Sequence, residues 1–115
     1  METDKKTEDS KYNEYKRYDK LIRDKIPKHI KSLCKPCKYH IANDDEYWTK
    51  LKEKLNEEVQ EFQNDSTTKE ISDLLEVIDA ICKFKQFDKK EIAKLKKERA
   101  KERGKFNKRI ILEES

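Results

Sequence analysis

The chain is expected to be all-α: an antiparallel helical hairpin with flanking helices, whose four-helix-bundle-like core is completed by oligomerisation. Three observations predict this. Only 33% of the 115 residues are hydrophobic and 47% are charged, with one glycine and two prolines. That composition disfavours sheets and tight turns and favours long solvated helices. Residues 44–85 hold two apolar stripes at helical spacing, divided by a short polar interval that makes the two helices antiparallel neighbours. The apolar content is too low for a thick core in one chain, so a homodimer or homotetramer is expected.

Residues 1–18 are polar, mixed in charge and poor in aliphatics, which predicts a flexible leader ahead of a single domain over 19–115. In the next stretch, YDKLIRDKIPKHIKSL, Pro27 suits the first turn of a helix, and Ile26, Ile30 and Leu33 recur at helical spacing. Lys20, Arg23 and Lys25 precede them as cations flanking Leu21 and Ile22. CKPCKYHI then places Cys34, Cys37 and His40 near one another, a pattern compatible with zinc or redox chemistry, although Pro36 and the polar surroundings favour a plain loop.

Asn43, Asp44 and Asp45 are natural start signals for a helix over 44–64. Thr67-Thr68-Lys69-Glu70 matches a capping box opening a second helix that runs to Lys85. Asp88-Lys89-Lys90-Glu91 opens a third, to Glu102, poor in apolar residues and stopped by Gly104. Phe106, Ile110, Ile111 and Leu112 are expected to clamp an extended tail onto the core.

The acidic residues of the hairpin are oddly placed. On a wheel of about 100° per residue with Leu51 at zero, Tyr47, Trp48, Leu51, Leu55, Val59 and Phe62 share one face. Glu58 falls at about 340°, inside that stripe, and Glu61 at about 280°, on its shoulder. On the second helix Ile71, Leu74, Leu75, Ile78, Ile81 and Cys82 make the stripe, with Glu70 at its edge and Asp73 reached from the same side. A carboxylate aimed at a core costs several kcal/mol, on the order of ion desolvation, unless a cation meets it. Packing the two stripes brings four carboxylates together, and an all-oxygen ligand set suits magnesium, with manganese as a substitute.

Charge is also segregated. Residues 44–79 hold twelve acidic and four basic residues, and residues 89–109 hold eleven basic and three acidic ones, within a chain of net charge +4. One stretch suits a cation and the other an anion. No apolar run approaches the roughly 18 residues that span a membrane. The first residues lack the apolar segment of a secretory signal, and three cysteines cannot all pair. A cytoplasmic protein without a membrane partner is expected.

With these residues in view, the chain resembles the MazG-like all-α nucleoside triphosphate pyrophosphohydrolases. E-E-x-x-E at Glu57, Glu58 and Glu61 followed by E-x-x-D at Glu70 and Asp73 is similar to their signature. YDKLIRDKIPKHI at the start and ERGKFNKRIIL at the end resemble small members of the phosphoribosyl-ATP pyrophosphohydrolase-like branch, so the likeness runs from Tyr18 to Leu112. Eight residues separate Glu61 from Glu70, fewer than in many such proteins.

The resemblance implies a MazG-like domain in which Glu58, Glu61, Glu70 and Asp73 bind Mg2+, with Glu58 or Glu61 activating water. It implies an enzyme acting on a phosphoric anhydride bond, hydrolysing a nucleoside triphosphate to the monophosphate and pyrophosphate in a house-cleaning role. Lys20, Arg23, Lys25, Lys97, Arg103 and Arg109 are the candidates for holding the remaining phosphate charge. Two alternatives are a phosphoribosyl-ATP pyrophosphohydrolase of histidine biosynthesis and a non-enzymatic nucleic-acid-binding protein using the basic helix. The second leaves Glu58 unexplained, so nucleic acid is not the expected partner.

Overall fold

The computed structural model describes residues 15–115, and most of the expected leader lies outside them. Four helices and no strands occur among the described residues: α1 (Ile26–Ser32), α2 (Asp44–Asn64), α3 (Thr68–Lys85) and α4 (Lys89–Arg103). None is long and apolar enough to cross a membrane. The chain forms two compact units, Met1–Val77 and Ile78–Ser115, and the boundary falls within α3.

In the first unit, α1 begins beside Pro27, whose fixed φ and missing N–H suit a first turn. Ile26 and Ile30 are buried against Tyr18, Ile22 and Cys37, which anchors the opening segment. Leu33 does not extend that stripe. The helix stops at Ser32, leaving Leu33 as the C-cap residue, exposed.

Asn43 caps α2, its side-chain oxygen accepting the Glu46 N–H at 2.9 Å, and Asp44, Asp45 and Glu46 place negative charge in the first turn. The apolar face of α2 is centred on Leu51, which is 1% exposed. Leu51→Ala is expected to cost about 2–5 kcal/mol, the usual range for a truncated core leucine, measured as a shift in the urea unfolding midpoint. The loop to α3 is three residues, Asp65 to Thr67, and α2 and α3 pair as the expected hairpin. Thr67 Oγ1 accepts the Glu70 N–H at 3.2 Å, the Thr half of the predicted capping box.

The buried face of α3 is rotated from the expected stripe. Glu70 and Val77 are buried whereas Ile71, Leu75 and Ile78 are exposed, and of the expected stripe Cys82 alone is buried, on the same side of the wheel as those three. Positions 70, 73, 74 and 77 follow one helical face, and 71, 75 and 78 the adjacent one. The apolar arc of α3 is therefore wider than one neighbouring helix covers.

In the second unit α3 ends at Lys85 in a Schellman arrangement. Gln86 has φ 59°, its N–H bonds to the Lys83 carbonyl, and the Phe87 N–H reaches the Cys82 carbonyl at 2.9 Å. Asp88 caps α4 by accepting the Lys90 N–H at 2.8 Å. Gly104, at φ 85°, terminates α4 and donates its N–H to the Ala100 carbonyl. No residue of α4 is buried. The expected clamp by the tail is not observed: Phe106, Ile110, Ile111 and Leu112 are all exposed. Of the large apolar side chains, α4 carries only Ile92 and Leu95, both exposed, and the tail does not cover them.

Candidate metal centre

The centre is built in the first unit, where the C-terminal half of α2 faces the first turns of α3. The packing that buries Leu51 carries Glu58, seven residues on, to the same face of α2, and Glu58 is 5% exposed. The turn capped by Thr67 sets Glu70 opposite, at 4% exposure, with Asp73 one turn further. One carboxylate oxygen from each of Glu58, Glu70 and Asp73 lies within 4.8 Å of the others. Oxygens on opposite sides of a magnesium ion bound at 2.0–2.1 Å are about 4.2 Å apart, so a small inward adjustment would suffice to ligate one.

Three carboxylates together do not by themselves make a metal site. A further observation points to a cation here. Glu58 Oε2 is fully buried and receives no hydrogen bond. A buried carboxylate oxygen left so costs about 1–3 kcal/mol or more, and a divalent ion relieves that cost. The Glu58 carboxyl titrates at about 7: burial pushes it up, the neighbouring Glu61 charge adds to this, Lys54 opposes, and Asp73 and Glu57 add again. The donor set is three hard oxygens, which fits magnesium or manganese.

Glu61 is partly exposed on the next turn of α2 and stands outside the 4.8 Å group. Its charge nonetheless acts directly on Glu58. Glu57 occupies a different environment. Lys20 Nζ donates to Glu57 Oε2 at 2.7 Å and Lys54 Nζ to Oε1 at 3.0 Å. Burial favours its protonated form, but those two hydrogen bonds outweigh it and hold the carboxyl below its ordinary value. Glu57 is thus a clamp for two lysines.

Cations surround the cluster. Arg23 Nη2 donates to Asp73 Oδ1 at 2.9 Å, and Lys69 Nζ to Asp73 Oδ2 at 3.1 Å. Lys69 also stands 3.7 Å from Glu70 Oε1, and Lys54 3.7 Å from Glu58 Oε1. A hollow beside the cluster is lined by Lys20, Lys50 and Lys54 with Glu53 and Glu57. The opening segment is therefore tied to the hairpin through Lys20 and Arg23. Lys25 is exposed at the N-cap of α1. Lys97 and Arg103, on α4, and Arg109, after it, are exposed in the second unit.

Sequence reasoning missed Lys54 and Lys69. The available signal was their spacing, Lys54 four residues before Glu58 and Lys69 four before Asp73, which places each pair on one helical face. Tyr47 and Trp48 are half-buried in the apolar face, and Lys52 Nζ lies 5.1 Å from the Trp48 ring centroid. Among the described residues Cys34, Cys37 and His40 form no metal-ligating group. His40 instead meets Glu46 at 2.9 Å, and Cys37 packs against Ile26 and Ile30. No family model, curated protein or solved structure matches this chain.

Proposed function

We propose that the protein is a magnesium-dependent nucleotide pyrophosphohydrolase that cleaves a nucleoside triphosphate to the monophosphate and pyrophosphate. The observation that carries this reading is Glu58, a carboxylate almost wholly buried with one oxygen unsatisfied, converging with Glu70 and Asp73 beneath Arg23 and Lys69. The resemblance of the two acidic motifs and of both ends of the domain to MazG-like enzymes supports it independently of the geometry.

Glu58, Glu70 and Asp73 hold the ion, with Glu61 beside them completing the acidic set. Magnesium there supplies neutralisation of phosphate charge and a bound water of lowered pKa. Glu61, partly exposed and not in the ligand group, is the carboxylate best placed to accept the water's proton. Lys20 and Arg23 lie at the rim, where phosphate oxygens are neutralised by charge-assisted hydrogen bonds. Lys25, Lys97, Arg103 and Arg109 remain candidates for further phosphate contacts. The exposed Ile71, Leu75 and Ile78 support self-association as a dimer or tetramer.

Incubated with Mg2+, the purified protein is expected to release pyrophosphate and a monophosphate from at least one nucleotide in a panel of canonical and modified triphosphates. Product identification by chromatography checks it. A full panel without turnover, with Mg2+ and Mn2+ both tried, removes the enzymatic reading.

A further inference from the structure

Both oxygens of Asp73 already carry a cation. Arg23 takes Oδ1 at 2.9 Å and Lys69 takes Oδ2 at 3.1 Å, and Lys69 reaches Glu70 Oε1 at 3.7 Å as well. A divalent ion using Asp73 and Glu70 comes up against both positive groups within a few ångströms. At that distance unit charges repel strongly even at the screened dielectric of a protein surface. One group of cations or the other must give way.

Exposure decides which cations can move. The Arg23 and Lys69 side chains are 47% and 52% exposed, whereas Lys54 is 12% exposed and pinned between Glu57 and Glu58. Arg23 and Lys69 are long, flexible and at the solvent side of the cluster, where a triphosphate would approach. Lys54 stays.

We propose that Arg23 and Lys69 exchange partners during binding, passing from Asp73 and Glu70 to the phosphates of an incoming polyphosphate as a divalent ion takes those carboxylates. The exchange presupposes the metal and nucleotide reading above. It assigns Lys69 as a phosphate-binding residue and makes metal and polyphosphate bind cooperatively. A bare ion meets two resident counter-ions. A polyphosphate draws those counter-ions off and brings negative charge of its own, and the coupling is reciprocal. Glu57 stands outside the ligand group and takes no part in the exchange.

The sign of one substitution separates this from simple positioning. If Arg23 and Lys69 merely orient Asp73, neutralising them weakens metal binding. If they compete with the ion, neutralising them strengthens it. Binding of Mn2+ alone, followed by the electron paramagnetic resonance of the free ion, is expected to be about tenfold tighter in Arg23→Gln and in Lys69→Gln than in the wild type. Inorganic tripolyphosphate, which needs no base, is the second probe. By calorimetry its affinity for the wild type is expected to rise at least about tenfold when Mn2+ is present, and this gain is expected to shrink in both variants.

If either variant binds Mn2+ no more tightly than the wild type, the exchange is overturned and the metal site stands. The same holds if Mn2+ gives tripolyphosphate no added affinity. Absence of Mn2+ binding in all three proteins, with and without tripolyphosphate, overturns both. Both substituted side chains are about half exposed, so circular dichroism is expected to show unchanged helix content in each variant.

Discussion

Glu58→Gln is expected to weaken divalent-ion binding severely and to abolish the hydrolysis that depends on it while making the fold more stable above pH 7. The two effects share one cause. Glu58 is 5% exposed, with Oε2 fully buried and accepting no hydrogen bond. Its ionised form is therefore costly in the folded chain, and its carboxyl rises from an ordinary 4.5 to about 7. The folded state thus binds the proton more tightly than the unfolded state does. Stability from this group is fully present below pH 4.5 and is lost as the pH climbs towards 7. The loss is expected to be on the order of 1–3 kcal/mol once Glu58 is ionised.

Glutamine resembles the protonated carboxyl and never ionises. Urea unfolding is expected to show the variant about 1–3 kcal/mol more stable than the wild type at pH 8 and equal to it near pH 4.5. Metal affinity is expected to fall about a hundredfold or more. A residue whose removal stabilises the fold is retained for something other than folding. A variant less stable than the wild type at pH 8 would mean that Glu58 serves the packing of α2, and the metal reading would lose its main support.

What was legible in the sequence follows from how local each feature is. The start of α2 is written in Asn43 and the acids after it, the start of α4 in Asp88, and its end in Gly104. All three depend on a few adjacent residues and all three are found. The burial of Glu58 was legible because Tyr47, at about 320°, and Leu51, at zero, bracket it on the helical wheel. The rotation of α3 was not. Ile71, Leu75 and Ile78 are as apolar as Leu74 and Val77, and what decides between two apolar faces is the neighbour each meets in space. The cations at Lys54 and Lys69 were hidden by composition. In a chain with 29 lysines and arginines, a lysine four residues from a carboxylate is common, and only the packing shows which of them face the cluster. The tail illustrates the opposite error. Its apolar residues predicted burial, but they stay exposed, and so do Ile92 and Leu95 of α4 in the same unit.

Divalent-ion affinity is expected to fall steeply below pH 7, and that dependence tests the centre without reference to any substrate. To ligate through Glu58 an ion must displace the proton that the carboxyl holds up to about pH 7. At pH 6 nearly one proton is expected to leave for each ion bound, and near pH 8.5 almost none. Between pH 8 and pH 6 the affinity for Mn2+ is then expected to drop about tenfold through Glu58 alone. Calorimetry in buffers of different ionisation enthalpy reads the proton release directly. Glu57 makes no such contribution, because Lys20 and Lys54 hold it ionised well below this range. Nor does a surface patch of carboxylates at their ordinary values, which would bind ions weakly and without proton release across the same interval. Affinity that stays flat from pH 6 to pH 8 would therefore place the ion elsewhere on the acidic hairpin. A tenfold fall accompanied by proton release would place it on Glu58, the carboxyl that the packing of α2 against α3 has buried.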